Sequence, residues 1–309
     1  MDDDSARELV ALFSNLIRSL EVARPEDPEI LAWVQGLSSK EAGTILTLVS
    51  ILQRPPREGL LVQACRVVVL LSELLPRVVA TQVVDLYPDV LQDLTDRALG
   101  PLGGEDGIKP EEACASLMCV AELRKTLEAS WRADVLVQVV KRTLELMQEL
   151  TGDRVMDAVT VFVKTCEGGF QDAVLGAIRR NPLARLLSET LLQVINRGHA
   201  KVQAQCLALM IELLSVEGVV FANDRRILVE VVLRELPNAV EVEDELLGQG
   251  YLTCLGVLAQ AGELHGPRAK QAFGICAEIA KDDSSPELLR SECRRIARII
   301  KSSEQARVA

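Results

Sequence analysis

The stretch Leu183-Ala184-Arg185-Leu186-Leu187-Ser188-Glu189-Thr190-Leu191-Leu192-Gln193-Val194-Ile195-Asn196 decides the fold class. Leu183, Leu186, Leu187, Leu191 and Ile195 recur at steps of three and four, which lines them along one face of a helix. The segment that follows repeats the device with Val202, Cys206, Leu209, Met210 and Leu213. Other segments are apolar nearly all round, such as Val67-Val68-Val69-Leu70-Leu71 and Leu228-Val229-Glu230-Val231-Val232-Leu233. A helix of that kind must be covered on several sides. One-faced helices alternating with nearly all-round ones are what stacked helical pairs produce, because inner helices are covered by neighbouring repeats. The Val-rich runs resemble buried strands in isolation, but their length and flanking helix formers oppose that, and an α/β sheet would need Gly-rich βα turns. The expectation is an all-α, armadillo/HEAT-like right-handed solenoid of stacked repeats, a single domain over 1–309.

The same reading extended along the chain places helices at roughly 5–21, 28–37, 39–53, 58–75, 77–86, 88–98, 110–129 and 132–150. It continues at roughly 153–167, 170–180, 183–196, 200–215, 223–236, 243–262, 267–281 and 286–302. Ser5 with Glu8, Ser38 with Glu41 and Ser284 with Glu287 fit capping boxes, and Pro286 suits a first turn. Breakers mark short connections at Pro55-Pro56, Gly152, Asn181-Pro182, Gly198 and Pro237-Asn238. The longest break is Gly100-Pro101-Leu102-Gly103-Gly104-Glu105-Asp106-Gly107, so 99–109 is the candidate for a join between two halves.

Composition narrows the function. Hydrophobic residues make up 49% of the 309 residues and aromatics only 3%, so aliphatic side chains carry the core, as helix-on-helix packing requires. The net charge of −11 repels phosphates and anionic lipid heads, which disfavours nucleic-acid and membrane-surface partners. No apolar run reaches membrane-spanning length, and Met1-Asp2-Asp3-Asp4 is too acidic for a secretory leader. The eight cysteines mostly sit in apolar helical patterns without a C-x-x-C pair, and histidines are only His199 and His265. Reduced core thiols of an intracellular protein are expected, with no metal and no cofactor. Nucleotide loops, nucleophile elbows and H-E-x-x-H are missing. Neither histidine is tied by sequence to a nucleophile or carboxylate, and Glu105-Asp106 and Glu243-Asp244 read as solvated charge. The expectation is a binding protein and not an enzyme.

Two charged features suit partner contacts. Glu241 to Glu245 is an acidic helix start that complements the helix dipole. The last helix carries Arg290, Arg294 and Arg298 at i, i+4 and i+8, beside apolar Leu289, Ile296, Ile299 and Ile300. That face reads either as solvated charge closing the solenoid or as a basic patch for an acidic partner.

One segment goes beyond class: Phe221-Ala222-Asn223-Asp224-Arg225-Arg226-Ile227-Leu228-Val229-Glu230-Val231-Val232-Leu233-Arg234. The pattern F-x-N-D, two residues, an aliphatic pair, Val, an acid, two aliphatics, any residue and Arg resembles the armadillo domain of the WISH/DIP family. This family comprises the NCK-interacting protein with an SH3 domain and its fungal relatives. A Tyr-Leu helix and a charged final helix follow in the family's order, here at Tyr251-Leu252 and from Ser285-Pro286 to Ile300. The resemblance covers about residues 200–300, and the family's extended Tyr-Leu helix is poorly matched after Leu255. No SH3 domain or proline-rich region is present, so no SH3-mediated partners are expected. The resemblance implies binding and activation of the actin-related protein 2/3 (Arp2/3) complex, and through it nucleation of linear, unbranched actin filaments without a pre-existing filament. It also implies a cytoplasmic protein of the actin cytoskeleton, at cortical or endocytic sites.

From the residues alone, Asn223 or Asp224 caps the helix and Ile227, Leu228, Val231 and Val232 pack the core. Arg226, Glu230 and Arg234 lie four apart and can pair along one exposed face. Expected partner contacts are therefore Arg226, Arg234, Arg290, Arg294 and Arg298, with Asn223 and Asp224 as caps first and contacts second. The alternative is another armadillo/HEAT adaptor, of formin-regulatory, transport or chaperone-cofactor type.

Overall fold

The computed structural model describes the chain except residues 1–2, 24–26, 40–42, 56–58, 104–106, 153, 167–171, 198–199, 242–244 and 309. The described residues form sixteen helices and no strand, one helix for each expected segment. Two compact units are present, Met1–Glu167 and Gly168–Ala309.

The first unit holds α1 (Asp3–Glu21), α2 (Pro28–Leu37), α3 (Thr44–Gln53), α4 (Leu60–Leu74) and α5 (Pro76–Leu86). It continues with α6 (Val90–Leu99), α7 (Pro110–Thr126), α8 (Ala133–Glu149) and α9 (Arg154–Thr165). Helices α1, α4, α7 and α9 pack successively in one row, and α3, α6 and α8 form a second row against it. The nearly all-apolar α4 sits inside, with Val67, Val68, Val69 and Leu71 buried, as a helix without a polar face must. The break at 101–108 lies within this unit. Gly103 N donates to Ile108 O at 3.0 Å and Ile108 N to Pro101 O at 2.9 Å, which pins its two arms together. Arg142 adds bonds to Leu99 O and Gly100 O at 3.1 and 2.8 Å. Residues 104–106 of this break, including Glu105-Asp106, lie outside the described residues.

The second unit holds α10 (Asp172–Arg179), α11 (Ala184–Arg197), α12 (Ala200–Leu214), α13 (Ala222–Glu241), α14 (Glu245–Gln260), α15 (Pro267–Lys281) and α16 (Glu287–Val308). Its pattern is regular. Helices α11/α12, α13/α14 and α15/α16 pack as hairpins, α11 and α15 flank α13, and α12 and α16 flank α14. Two parallel rows of helices linked by hairpins are the repeating plan of an α-solenoid. The stripe Leu187, Leu191 and Ile195 is buried, as are Cys206, Leu209, Met210 and Leu213. All eight cysteines are buried. Burial pushes the Cys206 and Cys254 thiols up to about 12, so they behave as apolar core groups and not as nucleophiles.

Several local expectations change. Pro237-Asn238 is not a connection, because α13 runs through Pro237 to Glu241. Leu236 and Ala239 beside the proline are buried, and tertiary packing on α14 sustains the helix despite the missing N–H. Ser38 does not start α3. It closes α2, its amide bonding to Val34 O, and α3 begins after Gly43, which adopts φ 66°. Ser284 does not form a box with Glu287. Its hydroxyl donates to Asp282 Oδ1 at 2.7 Å, since that carboxylate is nearer in the turn before α16. Helix α1 starts at Asp3, which places Ser5 inside its first turn. Glu41, Gly198, His199 and Glu243-Asp244 lie outside the described residues.

Candidate partner-binding surface

Helix α13 is anchored by polar contacts on both flanks. Asp224 is 6% exposed and accepts a hydrogen bond from Ser188 Oγ of α11 at 2.6 Å. Asp224 therefore is neither a cap nor an exposed contact. Helix α13 begins at Ala222, one turn position before Asn223, so both residues fall inside its first turn. Asn223 is exposed, and its Oδ1 accepts from Arg226 at 3.4 Å. Further along, Arg234 donates to Asn196 of α11 and to Glu235 Oε1 at 2.6 Å. On the other flank Glu230 accepts from Arg268 of α15 at 2.5 Å. The expected pairing among Arg226, Glu230 and Arg234 along α13 does not form: Arg268 of α15 takes Glu230, Arg234 reaches Asn196 of α11 and Glu235, and Arg226 bonds to Asn223.

Ile227 does not pack the core. It is 40% exposed, beside Arg226 on the outer face, while Leu228, Val231 and Val232 are buried. Phe221, 43% exposed, lies at the entrance to the helix with the Arg185 guanidinium 5.6 Å from its ring centre. The outward face of α13 is thus Asn223, Arg226, Ile227, Glu230 and Arg234, with an aromatic shoulder at Phe221.

Arg225, adjacent to the arginine singled out from sequence, holds the entry turn. Its Nε donates to Val220 O at 3.1 Å, one terminal nitrogen to Leu214 O at 3.2 Å, and the other meets Glu263 at 3.4 Å. Tyr251 of α14 is buried and donates to Ile195 O at 3.3 Å, and burial raises its hydroxyl to about 12. Arg225 ties the start of α13 to the turn before it, and Tyr251 ties α14, which packs on α13, to α11. The Asn-Asp and Tyr-Leu motifs therefore meet as parts of one packed scaffold.

The final helix is less basic to a partner than its sequence suggests. Arg290 pairs with Asp283 at 2.8 Å and Glu287 at 2.7 Å, and Arg294 shares Glu287 at 3.1 Å. Arg295 pairs with Glu292, which lowers that carboxyl. Arg298 is exposed and forms no salt bridge among the described residues, its Nε donating only to Arg294 O at 3.2 Å. Its apolar face is as expected, with Leu289, Ile296 and Ile300 buried. Arg298 lies on α16 in the row with α12 and α14, and Arg226 and Arg234 lie on α13 in the row with α11 and α15. The structure keeps these two sets on different rows, so they do not form one cluster.

The other charged network, missed from sequence, is in the first unit. Lys164 of α9 contacts Glu73 of α4 at 2.7 Å and Glu122 of α7 at 2.5 Å. Burial alone would lower this lysine, but Glu122 and Glu73 outweigh it and hold it above its ordinary value. The available signal was Glu122, a carboxylate inside the apolar run Cys119-Val120-Ala121-Glu122-Leu123.

This anchored α13, together with its neighbours, lies inside a recognisable domain. Residues 156–272 match the SPIN90/Ldb17 leucine-rich domain. The SPIN90/Ldb17 domain is the domain of the WISH/DIP family that the 221–234 motif resembles. The match spans most of α9, α10 to α14 and the start of α15, and so contains the whole outward face of α13. No curated protein matches the chain. Among solved structures, an archaeal HEAT-like repeats protein from Thermococcus onnurineus NA1 is similar at 15% identity, over 88% of this chain and 97% of that one, with a TM-score of 0.36.

Proposed function

We propose that this chain binds the Arp2/3 complex and switches it on, so that linear, unbranched actin filaments are nucleated without a pre-existing filament. The match of residues 156–272 to the SPIN90/Ldb17 domain carries this reading. The energetic requirement is differential affinity. A scaffold that binds the active arrangement of the complex more tightly than the inactive one shifts the population by that difference. Anchored helices suit the task, because little ordering entropy is lost on docking. Ser188–Asp224 and Glu230–Arg268 fix α13 from two sides, which leaves Asn223, Arg226, Ile227 and Arg234 presented on a rigid face. Arg298 supplies a second, separate cationic contact. The protein acts at cortical or endocytic actin sites.

The reading is tested by capture of purified Arp2/3 complex on the immobilised chain. Arg226→Glu with Arg234→Glu, and separately Arg298→Glu, are expected to weaken capture by about tenfold, roughly 1.4 kcal/mol, with helical circular dichroism unchanged. Capture that is unchanged in both variants would place the contact elsewhere. The absence of capture by the unmodified chain would reject the function itself.

A further inference from the structure

The last hairpin brings two cysteines together. Helices α15 and α16 run antiparallel about the turn at Ser284-Ser285. Their buried residues stand as mirror positions of that turn: Ala269 with Ile300, Ala272 with Ile296, Cys276 with Cys293 and Ile279 with Leu289. Small side chains on the α15 side, Ala269, Ala272 and Cys276, let the two helices approach closely. The register is pinned at its centre by a hydrogen bond in which the Cys293 thiol donates to the Cys276 sulfur.

Two features separate this pair from the other cysteines. That hydrogen bond holds the Cys276 thiol below its ordinary value, whereas burial pushes Cys206 and Cys254 up to about 12. A sulfur with more thiolate character is the more reactive one towards peroxides. The second feature is position. Helices α15 and α16 are the last hairpin of their unit and pack on α13 and α14 within it. The partly exposed Glu292 carboxylate is close enough to act on both thiols, so the pair lies just under the surface. Terminal elements open locally at lower cost than central ones, which admits a molecule as small as hydrogen peroxide. Cys65 and Cys119 also share a hydrogen bond, but they join α4 to α7 in the middle of their row, between α1 and α9.

We propose that Cys276 and Cys293 form a reversible, peroxide-driven disulfide that clamps α15 to α16. The Cys276 thiolate attacks one oxygen of hydrogen peroxide. The O–O bond breaks, a sulfenic acid forms on Cys276, and the hydroxide released takes up the proton that Cys276 gave up. The Cys293 sulfur then attacks the Cys276 sulfur. The S–O bond breaks, and the hydroxyl leaves as water with the Cys293 proton. Two thiols have lost two electrons, and the peroxide has become two waters. A dithiol reductant reverses the bond by exchange. Arg298 follows Cys293 on the same helix, so the clamp stiffens the element that presents it. The chemistry belongs to this hairpin alone and needs no partner.

The test treats the full chain with hydrogen peroxide, blocks the remaining thiols with iodoacetamide in denaturant and maps the digest by mass spectrometry. A cross-linked peptide pair holding Cys276 and Cys293 is expected, with the free thiols falling by two from eight and restored by dithiothreitol. Cys293→Ser is expected to stop at the sulfenic acid, which dimedone labels on Cys276. Amide hydrogen exchange in α15 and α16 is expected to slow by about tenfold in the oxidised chain. No loss of thiols, a disulfide between any other cysteines, dimedone on another cysteine instead, or a cross-link that leaves exchange in α15 and α16 unchanged would each overturn the proposal.

Discussion

Asp224 illustrates how a residue legible as polar and functional turns out to hold the scaffold. It sits in an N-D pair at a helix entrance, where capping is the ordinary expectation. The buried Ser188 hydroxyl across α11 captures it instead, a contact between positions 36 apart that no local pattern announces. Asp224→Ala is expected to destabilise the chain by about 1.5–3 kcal/mol, because it leaves a buried hydroxyl without its charged acceptor. Denaturant unfolding checks this, and a change within about 0.5 kcal/mol would mean that water or another group satisfies Ser188. Lys164 gives a pH-dependent counterpart. Lys164→Met strands Glu122 in the interior and is expected to cost about 3–5 kcal/mol near neutral pH. The folded lysine lies above its ordinary value, so its stabilisation is complete below about pH 10.4 and declines as pH rises from there through the folded value. Urea titrations of the two proteins between pH 8 and 11 should show the gap narrowing, and a constant gap would contradict the pairing.

At the scale of elements the sequence was highly legible, since helix periodicity depends on neighbours three and four residues away. Every expected helix is present, and Leu187, Leu191 and Ile195 of α11 and Cys206, Leu209, Met210 and Leu213 of α12 are buried where the pattern placed them, while Leu183, Leu186 and Val202 are half-buried. What failed was local punctuation. Pro237 reads as a stop in isolation, but packing of α13 on α14 outweighs the loss of one backbone bond. Pro237→Ala is therefore expected to raise stability, by on the order of 1–3 kcal/mol, and a lower melting temperature would mean that the proline shapes a bend the packing needs. The glycines of α14 have the opposite logic. A Cβ at Gly250 would lie 3.1 Å from Leu207 Cδ2 of α12, so the two helices approach closely there. Gly250→Val is expected to cost about 1–3 kcal/mol through overpacking, read by thermal unfolding, and a neutral result would show that Leu207 can move aside.

For the molecule as a whole, the sequence pointed to a helical repeat protein through its aliphatic richness, its scarcity of aromatics and its stacked apolar stripes. The candidate surface was only half legible. Arg226, Arg234 and Arg298 are exposed as expected, but Arg290 and Arg294 are answered by Asp283 and Glu287, acids three to seven residues before them. Net charge on a helix face is a property of the folded pairings, and those depend on side-chain geometry that spacing alone leaves open. The division into units at 167/168 has no composition signal comparable to the glycine-rich break at 99–109.

The most direct measurement is pyrene-actin polymerisation with purified actin and Arp2/3 complex, with and without this chain, no filaments or other activator added, and the products imaged. The account predicts faster nucleation that requires the complex and yields unbranched filaments. No acceleration, or acceleration that proceeds without the complex or gives branched networks, would contradict it.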